Sequence, residues 1–105
     1  MIRERLPNRR ASLVFDFEHK GLRFTCSFSR YPDGRIAELF LQNHKNSSGA
    51  DVVVRDGAVI TSIALQFGAP LETLADAILR DPNGEAASPI GAAIDLIAKQ
   101  GGNAR

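Results

Sequence analysis

The stretch Leu22-Arg23-Phe24-Thr25-Cys26-Ser27-Phe28-Ser29 alternates an apolar residue with a polar one along its whole length. A period of two is that of a β-strand with one buried face, because successive side chains leave the backbone on opposite sides. Toward the N-terminus, Leu13, Phe15 and Phe17 alternate with Val14, Asp16 and Glu18, and His19-Lys20-Gly21 between the two runs predicts a hairpin turn. Toward the C-terminus, Pro32-Asp33-Gly34 predicts a second turn: proline presets φ, aspartate bonds the backbone ahead and glycine accepts a left-handed position. Arg35 to Asn43 then returns as a third strand, completing an antiparallel meander. Its alternation is imperfect. Ala37, Leu39 and Leu41 form one face, while Ile36 and Phe40 share the other with Glu38 and Gln42. Both faces therefore need cover: the helices that follow can cover one and the N-terminal arm or a second subunit the other, with Ile36 and Phe40 as the candidate interface residues of a dimer.

Helical periodicity follows Asn46-Ser47-Ser48-Gly49. From Ala50 to Phe67 the polar residues Asp51, Arg55, Ser62 and Gln66 fall on one narrow stripe, with valines, isoleucines and leucine around the remainder. The pattern predicts a largely buried central helix, with the valines, isoleucines and leucine inside. Gly57 inside it costs about 1 kcal/mol relative to alanine, which points to close packing there. Gly68 fits a C-terminal cap, and Pro70 opens a helix whose apolar face is Leu71, Leu74, Ala75, Ile78 and Leu79. That helix is expected to stop before Asp81-Pro82-Asn83-Gly84. Ser88-Pro89 starts the last one, lined by Ile90, Ala93, Ile94 and Ile97. The predicted fold is α+β: a three-stranded antiparallel meander followed by three helices packed on one face. One domain spans residues 12–99, between a basic N-terminal arm (1–11) and a flexible tail (100–105).

A chain of 105 residues, 44% hydrophobic and 24% charged, suits one globular domain without a membrane span. No apolar run follows the arginine-bearing N-terminus, so a cytoplasmic setting is expected. The single cysteine excludes an internal disulfide and a multi-thiolate metal site. The net charge of +1 hides a division: residues 1–45 hold nine Lys/Arg against five Asp/Glu, and residues 46–105 hold four against seven. Such polarity suits an anion on one side or pairing of opposite halves in a homodimer.

Tyr31-Pro32-Asp33-Gly34-Arg35-Ile36-Ala37-Glu38-Leu39-Phe40, with His44-Lys45, Leu65-Gln66-Phe67-Gly68-Ala69-Pro70-Leu71-Glu72 and Arg5-Leu6-Pro7-Asn8-Arg9-Arg10, resembles the TSCPD domain. The resemblance implies kinship with a module near the C-terminus of vitamin B12-dependent (class II) ribonucleotide reductases, which also exists as a short free-standing protein. It implies no barrel for radical chemistry and no cobalamin site. Where the domain's name spells Thr-Ser-Cys-Pro-Asp, this chain has Ser29-Arg30-Tyr31-Pro32-Asp33.

The candidate site residues each carry two readings. Cys26 is in register with Leu22, Phe24 and Phe28, which makes it a small apolar core residue rather than a reactive thiol. Arg35 either braces the turn against a carboxylate or forks onto a phosphate or a partner's acid. His44, Lys45, Ser47 and Ser48 lie at the mouth of the central helix, where free N–H groups attract anions, although serine there also serves as an ordinary cap. Arg9 and Arg10, with Arg3 and Arg5, form an arm that neutralises phosphate or clasps the sheet. If Arg9, Arg10 and Lys45 make one anion site, the arm must run back toward the start of the central helix. No nucleophile–base pair or metal-ligand pattern surrounds His19 or His44, so neither a catalytic residue nor a metal nor a cofactor is expected. The resulting expectation is a non-catalytic module, protein-binding or regulatory, linked to ribonucleotide reductase or nucleotide metabolism, with an unidentified protein partner. The alternative is a nucleic-acid or nucleotide-phosphate binder.

Overall fold

The computed structural model describes residues 2–8, 11–45 and 49–103, with the side chains of 101–103 left aside. The meander is present: β1 (Ser12–His19), β2 (Leu22–Arg30) and β3 (Ile36–Asn43) form one antiparallel sheet in the order β1-β2-β3. Three helices follow, α1 (Gly49–Gln66), α2 (Leu71–Ala77) and α3 (Pro89–Asn103), giving the α+β architecture. Among the described residues no helix is long and apolar enough to cross a membrane.

The alternation in β2 does what its period requires. Phe24, Cys26 and Phe28 are buried and pair with Phe17, Phe15 and Leu13 on one side and with Asn43, Leu41 and Leu39 on the other. Burying each phenylalanine contributes on the order of 2–3 kcal/mol. Phe17 stacks on Phe24 at 5.5 Å, and Phe15 meets Phe28 edge-on at 6.2 Å. Val54, Ala58 and Leu65 of α1 and Ala93, Ile94 and Ile97 of α3 close the core over this face.

The irregularity of β3 has a local cause. Ser29 pairs with Glu38 but Arg30 pairs with Ile36, so Ala37 is an extra residue in a β-bulge. The bulge turns Ile36 into the core, where it is only 8% exposed, and the expectation that it serves a subunit interface is corrected. Phe40, beyond the bulge, keeps the open face and is 51% exposed.

The orientation of α1 is a second correction. Asp51, Ser62 and Gln66 are buried, whereas Val52, Val53, Val59, Ile60 and Ile63 are exposed. The reason is the outer edge of β3, whose outward N–H and C=O groups have no fourth strand. The Asn43 N–H donates to Asp51 Oδ1 at 2.9 Å, Ser62 Oγ both donates to Leu39 O and accepts from Leu39 N–H at 2.9 Å, and Gln66 Nε2 donates to Ala37 O at 3.2 Å. The helix runs antiparallel to the strand with matched reach: about 22 Å of helix from Asp51 to Gln66 against about 20 Å of strand from Asn43 to Ala37. Burial of the polar stripe is therefore not a cost. Among the described residues every buried side-chain nitrogen and oxygen is bonded.

Two helix ends differ from expectation. α2 stops at Ala77, because Arg80 pairs with Ala86 in an isolated bridge and Asp81 turns onto Glu85, which pulls the chain out of the helix and leaves Leu79 exposed. The Arg80 guanidinium then donates to Ala75 O at the end of α2 and pairs with Asp95 of α3. α3 continues to Asn103, into the stretch expected to be tail.

Candidate functional site

The turn after β2 and the junction of α1 with α2 meet in space. Gly34, at φ 97°, supplies the left-handed residue that a Pro32-Asp33-Gly34 turn requires. Its N–H donates to Tyr31 O, and the Arg35 carbonyl accepts from Tyr31 N–H, closing the turn. Further along the chain Gly68, at φ 103°, follows the end of α1, and Pro70 caps the start of α2 in extended conformation.

Between them lies a cleft of about 680 Å³, lined by Asp33, Gly34, Arg35 and Ile36 from one side and by Gly68, Ala69, Pro70, Leu71 and Glu72 from the other. Both groups come from the stretches that carry the family resemblance. Ile36, Leu65, Leu71 and Ala98 give it an apolar floor; Arg30, Asp33, Arg35 and Glu72 stand on its rim.

The rim is organised by Arg35. Its Nε lies 2.7 Å from Asp33 Oδ2, its Nη2 lies 2.9 Å from Glu4 Oε1, and the guanidinium sits 4.7 Å above the Tyr31 ring. The backbone N–H and guanidinium of Arg35 hold the Asp33 carboxyl below its ordinary range, and the two carboxylates raise Arg35 further. Arg30 donates to Gly34 O at 2.9 Å and lies over Phe28. The first reading of Arg35, a brace on the turn, is what the geometry provides. A cleft with an apolar floor and paired charges on its rim can receive an apolar side chain flanked by polar groups.

The N-terminal arm belongs to this end of the molecule. Glu4 N–H donates to Gln66 O at 2.7 Å, Tyr31 Oη donates to Glu4 O at 3.0 Å, and Arg3 Nε donates to Gln66 Oε1 at 2.6 Å. Residues 3 and 4 of the arm thus reach the end of α1, about 26 Å along the helix from its start. Arg9, Arg10, Ser47 and Ser48 lie outside the described residues. The Lys45 N–H donates to Asn43 Oδ1 at 2.7 Å, beside the first turn of α1. That turn already holds the Asp51 carboxylate, bonded to Asn43 N–H and to Arg55 Nε, which satisfies the helix dipole from within.

His44 joins a different group, one that no motif in the sequence announces. Thr25 Oγ1 donates to Asp16 Oδ1 at 2.6 Å, so the Nε2–H of His44, 2.9 Å away, donates to Thr25. The Thr25 hydrogen bond, with smaller help from His44 and Arg23, lowers the Asp16 pKa. The three residues come from three segments; the available signal is strand register, which sets Asp16 directly opposite Thr25. Asp16 and His44 are exposed and Thr25 is half-buried between them, and the three tie the open sheet face together.

Cys26 is 0% exposed, and burial pushes its thiol up to about 12. Among the described residues no cluster of three His, Cys, Asp or Glu side chains could hold a metal.

No family profile and no solved structure matches the chain. Curated relatives do. A vitamin B12-dependent ribonucleotide reductase of Rhodopirellula baltica is 38% identical over 72 residues, 69% of this chain and 7% of the relative. That of Agrobacterium fabrum is 33% identical over 75 residues, 71% of this chain and 6% of the relative. That of Streptantibioticus cattleyicolor is 32% identical over 72 residues, 69% of this chain and 12% of the relative. The chain therefore spans a small fraction of these reductases, and over about seven-tenths of its own length it is similar to one short region of vitamin B12-dependent ribonucleotide reductases.

Proposed function

We propose that the chain is a non-catalytic interaction module serving ribonucleotide reduction, and that the cleft between the Asp33-Gly34-Arg35 turn and the α1–α2 junction holds an apolar segment of its protein partner. One observation carries the reading: two stretches of the family resemblance, distant in sequence, line a single cleft of about 680 Å³. The partner suggested by the relatives' names is a vitamin B12-dependent reductase, met in the cytoplasm. The chain's own chemistry supports a passive role, since its one thiol is buried and held protonated, with no second thiol to re-reduce it.

The test is a titration of the labelled chain with a purified vitamin B12-dependent reductase, repeated with Ala69→Trp, which fills the cleft from its loop. Saturable binding that Ala69→Trp weakens at least tenfold, with unchanged circular dichroism, is the expected result. Absence of binding by the wild type, or equal binding by the variant, overturns the reading. Affinity for nucleotides or nucleic acid that falls steeply with salt would instead favour the alternative of a phosphate binder.

A further inference from the structure

The outward side of α1 is apolar where a solvated helix would be polar. Val53 is 69% exposed and Ile60 68%, and Val52, Val59 and Ile63 share the same side. At 100° per residue these five fall within about 60° of Asp56, which stands at the centre of the stripe. Their exposed surface is on the order of 400 Å², the size of patch that marks an interaction site.

The pattern is also symmetric. Val52 and Val53 precede Asp56 by four and three residues, and Val59 and Ile60 follow it by three and four. A helix read backwards from Asp56 therefore presents the same apolar positions as one read forwards. Self-complementarity of this kind is what a two-fold interface requires.

We propose that this face is the interface between two copies of the chain, packed with their α1 helices antiparallel about a two-fold axis at Asp56. In that arrangement Val52 meets Val59 of the partner subunit, and Val53 meets Ile60 of the partner subunit. The charges also fit. Arg55 lies at the border of the stripe, half exposed, with its Nε on Asp51, so its remaining N–H groups reach Asp56 of the partner subunit. Two Arg55–Asp56 pairs then neutralise the acids that meet at the axis. Phe40 borders Val59 and Arg55 across a groove of about 210 Å³ and extends the apolar contact onto the sheet. With these flanks the two faces bury roughly 1,200 Å² in total, the lower end of a specific stable interface.

Sedimentation equilibrium and a cysteine scan test the arrangement. The wild type should be a dimer at high micromolar concentration, and Ile60→Asp should raise the dissociation constant at least about a hundredfold without changing the circular dichroism. Asp56→Cys places its thiol on the axis, at a separation suited to a disulfide, and should cross-link between chains under mild oxidation. Val52→Cys, about 12 Å from its own copy, should not. A monomeric wild type overturns the proposal. So does a dimer in which the Asp56→Cys variant fails to cross-link or the Val52→Cys variant cross-links as fast, and this holds even if Ile60→Asp fails to fold.

Discussion

The two long sides of α1 invert the usual rule of helix polarity. The side carrying Asp51, Ser62 and Gln66 is buried against β3, and the side carrying Val52, Val53, Val59 and Ile60 faces outward. What decides which side goes in is not hydrophobicity alone but the unmet hydrogen bonds of the neighbouring strand. An unpaired backbone group in a core costs about 1–3 kcal/mol, as much as burying a valine gains. The sheet edge therefore keeps the polar stripe buried beside Val54, Ala58 and Leu65, which enter the core from the same helix.

The difference between the sides is most readily broken at Ser62. Ser62→Ala removes a donor and an acceptor at once and strands both backbone groups of Leu39, so unfolding in urea should show a loss of about 2–4 kcal/mol. Cys26 offers an independent readout, since it is buried in the core that Val54, Ala58 and Leu65 of α1 help to close and labels only on opening: native labelling by a thiol reagent should be slow in the wild type and accelerate in this variant. Gln66→Ala, which loses one bond to Ala37 O, should cost about 1–2 kcal/mol. Gly57 lies on the flank between the two sides. A methyl there would meet Ile90 at 3.6 Å, an ordinary contact, so the close packing read from its presence is not required. Gly57→Ala should stabilise by up to about 1 kcal/mol in the same assay. On the outer side, Ile60→Ser should change the stability of the protomer by less than about 0.5 kcal/mol, measured at concentrations too low for association.

The smallest effect sharpens the electrostatics of the open sheet face. Thr25→Val removes the main hydrogen bond that lowers the Asp16 pKa, so an NMR titration should find that pKa raised toward the ordinary value. The sign follows from linkage: a depressed carboxylate stabilises the fold above its unfolded pKa, and the contribution is lost as pH falls through the folded value. Thr25→Val narrows that acid window.

The parts of the fold legible in sequence are those written as a local period. β1, β2, both turns and the three helices follow from alternation, glycine and proline, because each signal is contained within a few residues. The bulge at Ala37 and the inversion of α1 are written nowhere locally. A polar stripe reads as solvent-facing when the helix is considered alone, and only a strand edge of matching length gives it another partner. The same limit applies to the site. Pro32-Asp33-Gly34-Arg35 is legible as a turn, and Arg35 as its brace, but the floor contributed by Leu65 and Ala98 depends on how α1 and α3 dock.

The bonds from α1 to β3 also leave the sheet with two unequal borders. At β3 the outward C=O of Ala37, both groups of Leu39 and the N–H of Asn43 are occupied by side chains of α1, and an extended segment from another molecule finds those positions filled. At β1 the border carries Asp16 and Glu18, charges that oppose the stacking of like strands. Resistance to aggregation therefore rests on different chemistry at each border, and the β3 side is the more fragile, because one hydroxyl group, that of Ser62, occupies both hydrogen-bonding positions of Leu39. Its loss would expose a template for strand addition before the protein had globally unfolded.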